Sequence, residues 1–197
     1  MVDLVITKTE KIIILFLSLW IFLIFRNKII GLDNSFYLFL NSFENNDLTT
    51  VVKIITYLGS AYVLIFLAVI SLFFIKKNEK YKFISINLVL SFLTNQLLKR
   101  VFRRSRPLFK HLVKEKGFSF PSGHAMVSFC FYGLIIYYIH KSNLKYKKIY
   151  EVLLSIVIII IGLTRIYLGV HYFSDIVGGF VFGLLYLLLF IRILKLK

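Results

Sequence analysis

Three short polar clusters interrupt a mostly apolar chain, and their residue types point to one kind of chemistry. The first runs from Lys99 to Pro107 and carries Lys99, Arg100, Arg103, Arg104 and Arg106. Lys99, Arg103 and Arg106 are spaced i, i+4 and i+7, so a helix continuing past Leu98 would carry them on one face. Convergent cations suit the oxygens of a phosphate, with Arg offering a planar fork of donors and Lys a point charge. Pro107 is expected to stop that helix. The same residues would also serve as a basic anchor on anionic lipid. The second cluster, Pro121-Ser122-Gly123-His124, opens an apolar run. The unpaired N–H groups of a helix start form an anion site with the helix dipole. Pro121 suits a first helical turn, Gly123 admits a ligand close to the backbone, Ser122 adds a hydroxyl donor, and His124 is placed to deliver a proton. Taken alone, this cluster is a plain helix cap with a bystander histidine. The third cluster holds Arg165, His171 and Asp175. His171 and Asp175 are i and i+4, on one face if a helix begins there. A carboxylate one turn away holds the proton on one imidazole nitrogen and leaves the other free to attack.

The elements that must position these residues are membrane helices. The chain has 197 residues, 59% of them hydrophobic, and a mean hydropathy of +0.83. Soluble domains are ~45–50% apolar and lack runs of ~20 apolar residues. The pattern predicts an all-α, polytopic membrane protein: a six-helix bundle forming one domain over 1–197, with helices at roughly 11–26, 54–75, 83–99, 121–139, 150–168 and 171–194. The first run is short and is followed by Arg26-Asn27-Lys28, which marks a retained helix rather than a cleaved signal. Residues 33–50 mix aromatic and polar side chains and fit either an interfacial helix or a plain loop. Asn87, Asn95 and Gln96 inside the third run are expected to face the bundle, and Gly179 and Gly183 to pack closely on a neighbouring helix. Cys130 has no partner for an internal disulfide.

The formal charge is +16, from 25 Lys and Arg against 9 Asp and Glu. In a soluble protein that excess would raise nucleic acid as a partner. Here it sits in short loops, where it sets topology and meets anionic headgroups, so no nucleic-acid partner is expected. Six helices put both termini on one side with the turns around 76–82 and 141–148, and that side holds 13 of the 25 basic residues. Nine of the other 12 lie in the central stretch and at Arg165. If those nine serve chemistry, the positive-inside rule puts both termini in the cytoplasm and the clusters outside.

The three clusters together resemble the signature of the type 2 phosphatidic acid phosphatase superfamily, which includes bacterial lipid phosphatases and vanadium haloperoxidases. The matching residues are Lys99 with Arg106-Pro107, then Pro121-Ser122-Gly123-His124, then Arg165 with His171 and Asp175. One departure is Thr164, where the family usually has Ser; the hydroxyl is kept. The resemblance implies that His171 is the nucleophile that becomes a phosphohistidine, that Asp175 orients it, and that His124 is the general acid. It implies that Lys99, Arg106, Ser122, Gly123 and Arg165 hold phosphate oxygens, and that neither metal nor other cofactor is needed. The expected protein is a lipid phosphatase of the bacterial inner membrane, its site extracytoplasmic and its partners the membrane and a lipid phosphate. Undecaprenyl diphosphate is the favoured substrate, with phosphatidylglycerophosphate or phosphatidic acid next. A lipid phosphotransferase and a non-catalytic binder of anionic lipid are the alternatives. A haloperoxidase is disfavoured because those relatives are soluble. The sequence leaves the oligomeric state open.

Overall fold

The computed structural model describes residues 7–74 and 80–195; Ile75, Lys76 and Lys77 of the expected second helix and its basic turn lie outside the described residues. Eight α-helices follow in order: α1 (Lys8–Phe25), α2 (Ile30–Asn41), α3 (Asn46–Thr56), α4 (Ala61–Phe73), α5 (Lys80–Phe102), α6 (Gly123–His140), α7 (Lys147–Tyr167) and α8 (Phe173–Lys195). A single 3₁₀ turn, Tyr57–Gly59, joins α3 to α4, and no strand occurs among the described residues.

Local chemistry explains most of the helix starts. Thr7 and Glu10 close a reciprocal capping box at α1. Asn45 caps α3 and Ser60 caps α4. The region 33–50 resolves into α2, a short turn and α3, so the plain-loop alternative falls. α2 bends 86° from α1, and α3 with its 3₁₀ turn meets α4 at 44°. Two helices, α7 and the Phe173–Leu194 part of α8, are long and apolar enough to cross a membrane alone, and counting each bent pair as one span raises this to four. α5 falls short because Lys82, Asn87, Asn95, Gln96, Lys99 and Arg100 interrupt its apolar character.

α6 is the central helix and packs against α5, α7 and α8. Its Val127, Phe131 and Leu134 join Leu64 of α4, Leu88 of α5, Ile161 of α7 and Leu187 of α8 in the main core. Gly179 lets α8 approach α6 closely: a Cβ there would lie 3.0 Å from the Ser122 carbonyl oxygen and 2.9 Å from the Ala125 Cβ. Asn87 donates to the Cys130 carbonyl at 2.8 Å and Asn95 to the Pro121 carbonyl at 3.2 Å, so both tie α5 to the α6 chain. Cys130 is buried and unpaired. Apolar side chains such as Leu15, Phe66, Leu97 and Ile159 are exposed on the outside. So much outward apolar surface suits lipid rather than water.

Three local expectations need correction. α5 ends at Phe102, so Arg103 and Arg106 are not on its face. Arg103 takes a left-handed φ of 48° and points outward, its Nε donating to the Arg100 carbonyl at 3.0 Å. The chain turns there, four residues before Pro107. Second, Pro121 precedes the helix: Ser122 is the cap of α6 and its Oγ accepts from the Ala125 N–H at 3.5 Å. Third, α8 starts at Phe173, leaving His171 in the turn before it.

Candidate active site

The C-terminal ends of α5 and α7, the N-terminal ends of α6 and α8, and the loop 103–122 converge at one end of the bundle. Gly169, at φ 72°, reverses the chain after α7 and sits so close to the Lys110 carbonyl that a Cβ would lie 2.3 Å from its oxygen. The Leu112 N–H donates to the Leu168 carbonyl at 3.1 Å and fastens the loop to that turn. His171 is thereby presented from a fixed turn rather than from a helix face.

His171 is buried, and its ring is held from both sides. Nδ1 lies 3.4 Å from Asp175 Oδ2 and 3.2 Å from Ser119 Oγ, and the Ser119 hydroxyl donates to Asp175 Oδ2. The Tyr172 N–H donates to the same oxygen at 2.9 Å. Nε2 faces Arg106 Nη1 at 3.2 Å. A guanidinium only donates, so Nε2 is the acceptor and Nδ1 carries the proton. Burial, with Lys99 and Arg106 nearby, lowers the His171 imidazole to about 3 against the opposing pull of Asp175. The ring is therefore neutral near pH 7, with its Nε2 lone pair directed at the cations.

Those cations form a cradle. Lys99 Nζ donates to the Phe118 carbonyl at 2.6 Å. Arg106 is braced by backbone carbonyls, with Nε to Gly117 at 3.0 Å, Nη1 to Val170 at 2.8 Å and Nη2 to Lys116 at 3.0 Å. Arg165, only 2% exposed, donates from Nη1 to Thr56 Oγ1 at 3.0 Å, while its buried Nε has no partner among the described residues. Glu115 fills the middle of the cradle: it accepts from Arg165 Nη2 and lies 3.6 Å from Arg106 Nη2. Glu115 is thus a carboxylate shared by two arginines, one of which, Arg106, also contacts His171 Nε2.

Lys99, Arg106, Gly123, His124 and His171 line one cavity of about 530 Å³. Arg165 and Asp175 stand behind this wall, the first behind Glu115 and the second behind His171. Ser122 is fully buried and acts as the helix cap. The cavity extends between α4 and α5 along Leu64, Ile65, Leu88 and Phe92, of which Ile65 and Phe92 are exposed to the outside. It thus joins a charged end at helix-terminus depth to an apolar slot. No group of three or more His, Cys, Asp or Glu among the described residues could hold a metal ion.

Sequence reasoning missed several contributors. Glu115 is a lone carboxylate in a basic stretch, and that contrast was the available signal. Arg104 belongs to the first cluster but was given no role. Ser119, Thr56 and Asp33 are polar residues far along the chain from what they touch, with no local pattern to mark them.

The family model "PAP2 superfamily" matches residues 80–197. Phosphatidylglycerophosphatase B of Bacillus subtilis (strain 168) is 38% identical over 144 residues, covering 70% of this chain and 71% of that protein. A crystal structure of the first transmembrane PAP2 type phosphatidylglycerolphosphate phosphatase from Bacillus subtilis superposes with a TM-score of 0.88 at 31% identity, over 96% of this chain and 97% of that one. The crystal structure of Aquifex aeolicus LpxE gives a TM-score of 0.68 at 25% identity, over 82% of this chain and 95% of that one. With the family model spanning more than half its length and its helices following those of a solved transmembrane phosphatase, this chain belongs to the PAP2 superfamily and is an integral membrane phosphatase that hydrolyses phosphate esters.

Proposed function

We propose that the protein is a phosphatidylglycerophosphate phosphatase working through a phosphohistidine on the extracytoplasmic face of a bacterial inner membrane. The observation that carries this is the union of His171, Lys99, Arg106 and an apolar slot in one cavity, with Arg165 held behind Glu115 at its wall. The relatives named for phosphatidylglycerophosphate favour that lipid over the undecaprenyl diphosphate expected earlier, for which no residue speaks.

In this mechanism the substrate phosphate displaces Glu115 and is bound by Lys99, Arg106, Arg165 and the N–H groups at Gly123 and the start of α6. His171 Nε2 attacks phosphorus, the P–O bond to the glycerol breaks, and His124 protonates the departing oxygen. Asp175 accepts from Nδ1–H and stabilises the charge that the ring acquires. Water then attacks the phosphohistidine, His124 takes its proton, and inorganic phosphate leaves.

The chain forms one phosphatase domain of six spans: α1, the bent α3–α4 pair, α5, α6, α7 and α8, with α2 lying across the site end. The apolar slot between α4 and α5 admits the lipid tails sideways from the outer leaflet. Keeping the tails in the bilayer avoids ~0.8 kcal/mol for each CH₂ otherwise exposed to water.

The test is phosphate release by purified protein in detergent from phosphatidylglycerophosphate, phosphatidic acid and undecaprenyl diphosphate, with His171→Ala as control. Turnover is expected to be fastest on phosphatidylglycerophosphate and absent in the folded His171→Ala protein. Faster turnover of undecaprenyl diphosphate would reassign the substrate, and phosphate release by His171→Ala would reject the nucleophile. Release that rises on adding a free acceptor alcohol, with phosphate transferred to it, would make the protein a phosphotransferase.

A further inference from the structure

Behind the dyad lies a buried charge network that none of the three sequence clusters anticipates. Beyond the left-handed Arg103 the chain is non-helical and alternates, so Arg104 and Arg106 turn inward together while Arg103 and Ser105 are exposed. Arg106 goes to the cavity. Arg104 goes behind it: Nη1 donates to Asp175 Oδ1 at 2.7 Å and to Ser174 Oγ at 2.7 Å, and Nη2 donates to Asp33 Oδ2 at 2.9 Å. The guanidinium lies over the Tyr172 ring at 4.1 Å. Asp33 on α2 is fully buried and accepts the Ser174 N–H at 2.8 Å and the Ser174 hydroxyl at 2.7 Å.

The division of labour at Asp175 is the telling feature. Its Oδ1 is taken by Arg104, and its Oδ2 is left to His171 Nδ1, Ser119 Oγ and the Tyr172 N–H. A carboxylate tethered at one oxygen cannot rotate the other away from the imidazole. Being fully buried, it also depends on a cation to stay ionised, and an ionised Oδ2 is what keeps the proton on Nδ1 and the lone pair on Nε2. Lys could supply the charge. It could not reach Asp175, Ser174 and Asp33 at once, because that takes the planar fork of Arg.

We propose that Arg104, anchored by Asp33 of α2, is a positioning residue that fixes Asp175 and through it the attacking nitrogen of His171. Asp33 lies outside the 80–197 segment matched by the family model, so the amino-terminal part of the chain supplies half of this support. The proposal rests on the assignment of His171 as nucleophile. It makes α2 part of the catalytic architecture.

The test uses the full-length protein in detergent with phosphatidylglycerophosphate, measuring kcat and KM for wild type, Arg104→Ala, Arg104→Lys, Asp175→Asn, the Arg104 and Asp175 double variants, and His171→Ala. Misaligning a catalytic group by about 1 Å costs on the order of 100-fold. Arg104→Ala is therefore expected to lower kcat by roughly 10–100-fold with KM within about threefold of wild type, and Arg104→Lys to fall between. In the Asp175→Asn background, where residual turnover is read over long incubations, either Arg104 substitution is expected to cost nothing more, because residues acting as a unit are non-additive. Arg104→Lys keeps the buried charge and carries the same two readouts if Arg104→Ala does not fold. Wild-type kcat in both Arg104 variants, or losses that multiply with Asp175→Asn, would overturn the positioning role while an inactive His171→Ala leaves the nucleophile standing. Turnover by His171→Ala would remove the nucleophile and this proposal with it.

Discussion

Glu115 is the residue that sequence logic would leave out of a phosphate site, yet it sits between Arg106 and Arg165. Its charge neutralises the cradle while no substrate is bound, which spares two neighbouring guanidiniums their mutual repulsion. In the proposed mechanism the same contact makes Glu115 a competitor of the substrate phosphate. Glu115→Gln keeps the side-chain shape and removes the charge. Its carboxylate is partly open to solvent, so the competition is worth about 1 kcal/mol, or roughly fivefold in affinity. Inorganic phosphate and vanadate are therefore expected to inhibit Glu115→Gln several-fold more tightly than wild type. Equal or weaker inhibition would mean that Glu115 chiefly orders Arg165. His171 illustrates the complementary case: burial keeps its ring neutral, and the donor-only Arg106 opposite Nε2 dictates the tautomer.

At the scale of elements, the site depends on how closely α8 passes the start of α6. Gly179 is the contact point, and the atoms a Cβ would strike there include the Ser122 carbonyl and the Met126 N–H, both backbone. Backbone cannot swing aside as a flexible side chain can. Gly179→Ala is therefore expected to force the helices apart, destabilise the protein by ~1–3 kcal/mol and lower turnover by shifting Ser122 and Gly123. Gly31→Ala in α2 is the matched control, because a Cβ there meets nothing within 4 Å. The measurement is thermal unfolding in detergent together with phosphate release. A Gly179→Ala protein as stable and active as Gly31→Ala would show that the crossing has slack.

For the whole molecule, the helix directions set a sidedness that labelling can read. The cradle, the dyad and Lys114 lie at one set of helix ends, whereas Lys145 lies in the turn between α6 and α7 at the other. Glu10 of α1 pairs with Arg192 of α8, and Trp20 Nε1 donates to the Ser174 carbonyl at 3.1 Å, so α1 and α8 run antiparallel. In a Cys130→Ala background, a single Cys at Lys114 is expected to react with an impermeant thiol reagent on intact cells that lack an outer-membrane barrier. A single Cys at Lys145 is expected to stay unlabelled until the cells are opened. Both positions are exposed, so burial does not confound the comparison. The opposite pattern would move the site to the cytoplasm and with it the pool of lipid the enzyme acts on.

The sequence by itself determined the membrane class, the all-helical architecture and the three clusters, because apolar run length, basic loops and motif spacing are covalent facts that survive folding. It pointed in the same way to Lys99, Arg106, His124 and His171 lying near one another, since the end of one apolar run and the starts of two later ones fall on the same side of an alternating bundle. Tertiary structure decided which neighbours do the holding. A helical spacing favoured Arg103, but the left-handed turn at that residue sent it outward and brought Arg104 in. The i, i+4 spacing paired His171 with Asp175, but a turn closed by Gly169 against the Lys110 carbonyl, rather than a helix face, makes the pairing. Asp33, Thr56, Ser119 and Glu115 enter the site from distant parts of the chain. The Gly179 and Gly183 spacing marked a close helix approach, but which distant side chains that approach brings together depends on where the helices cross, and no local pattern in the chain encodes that.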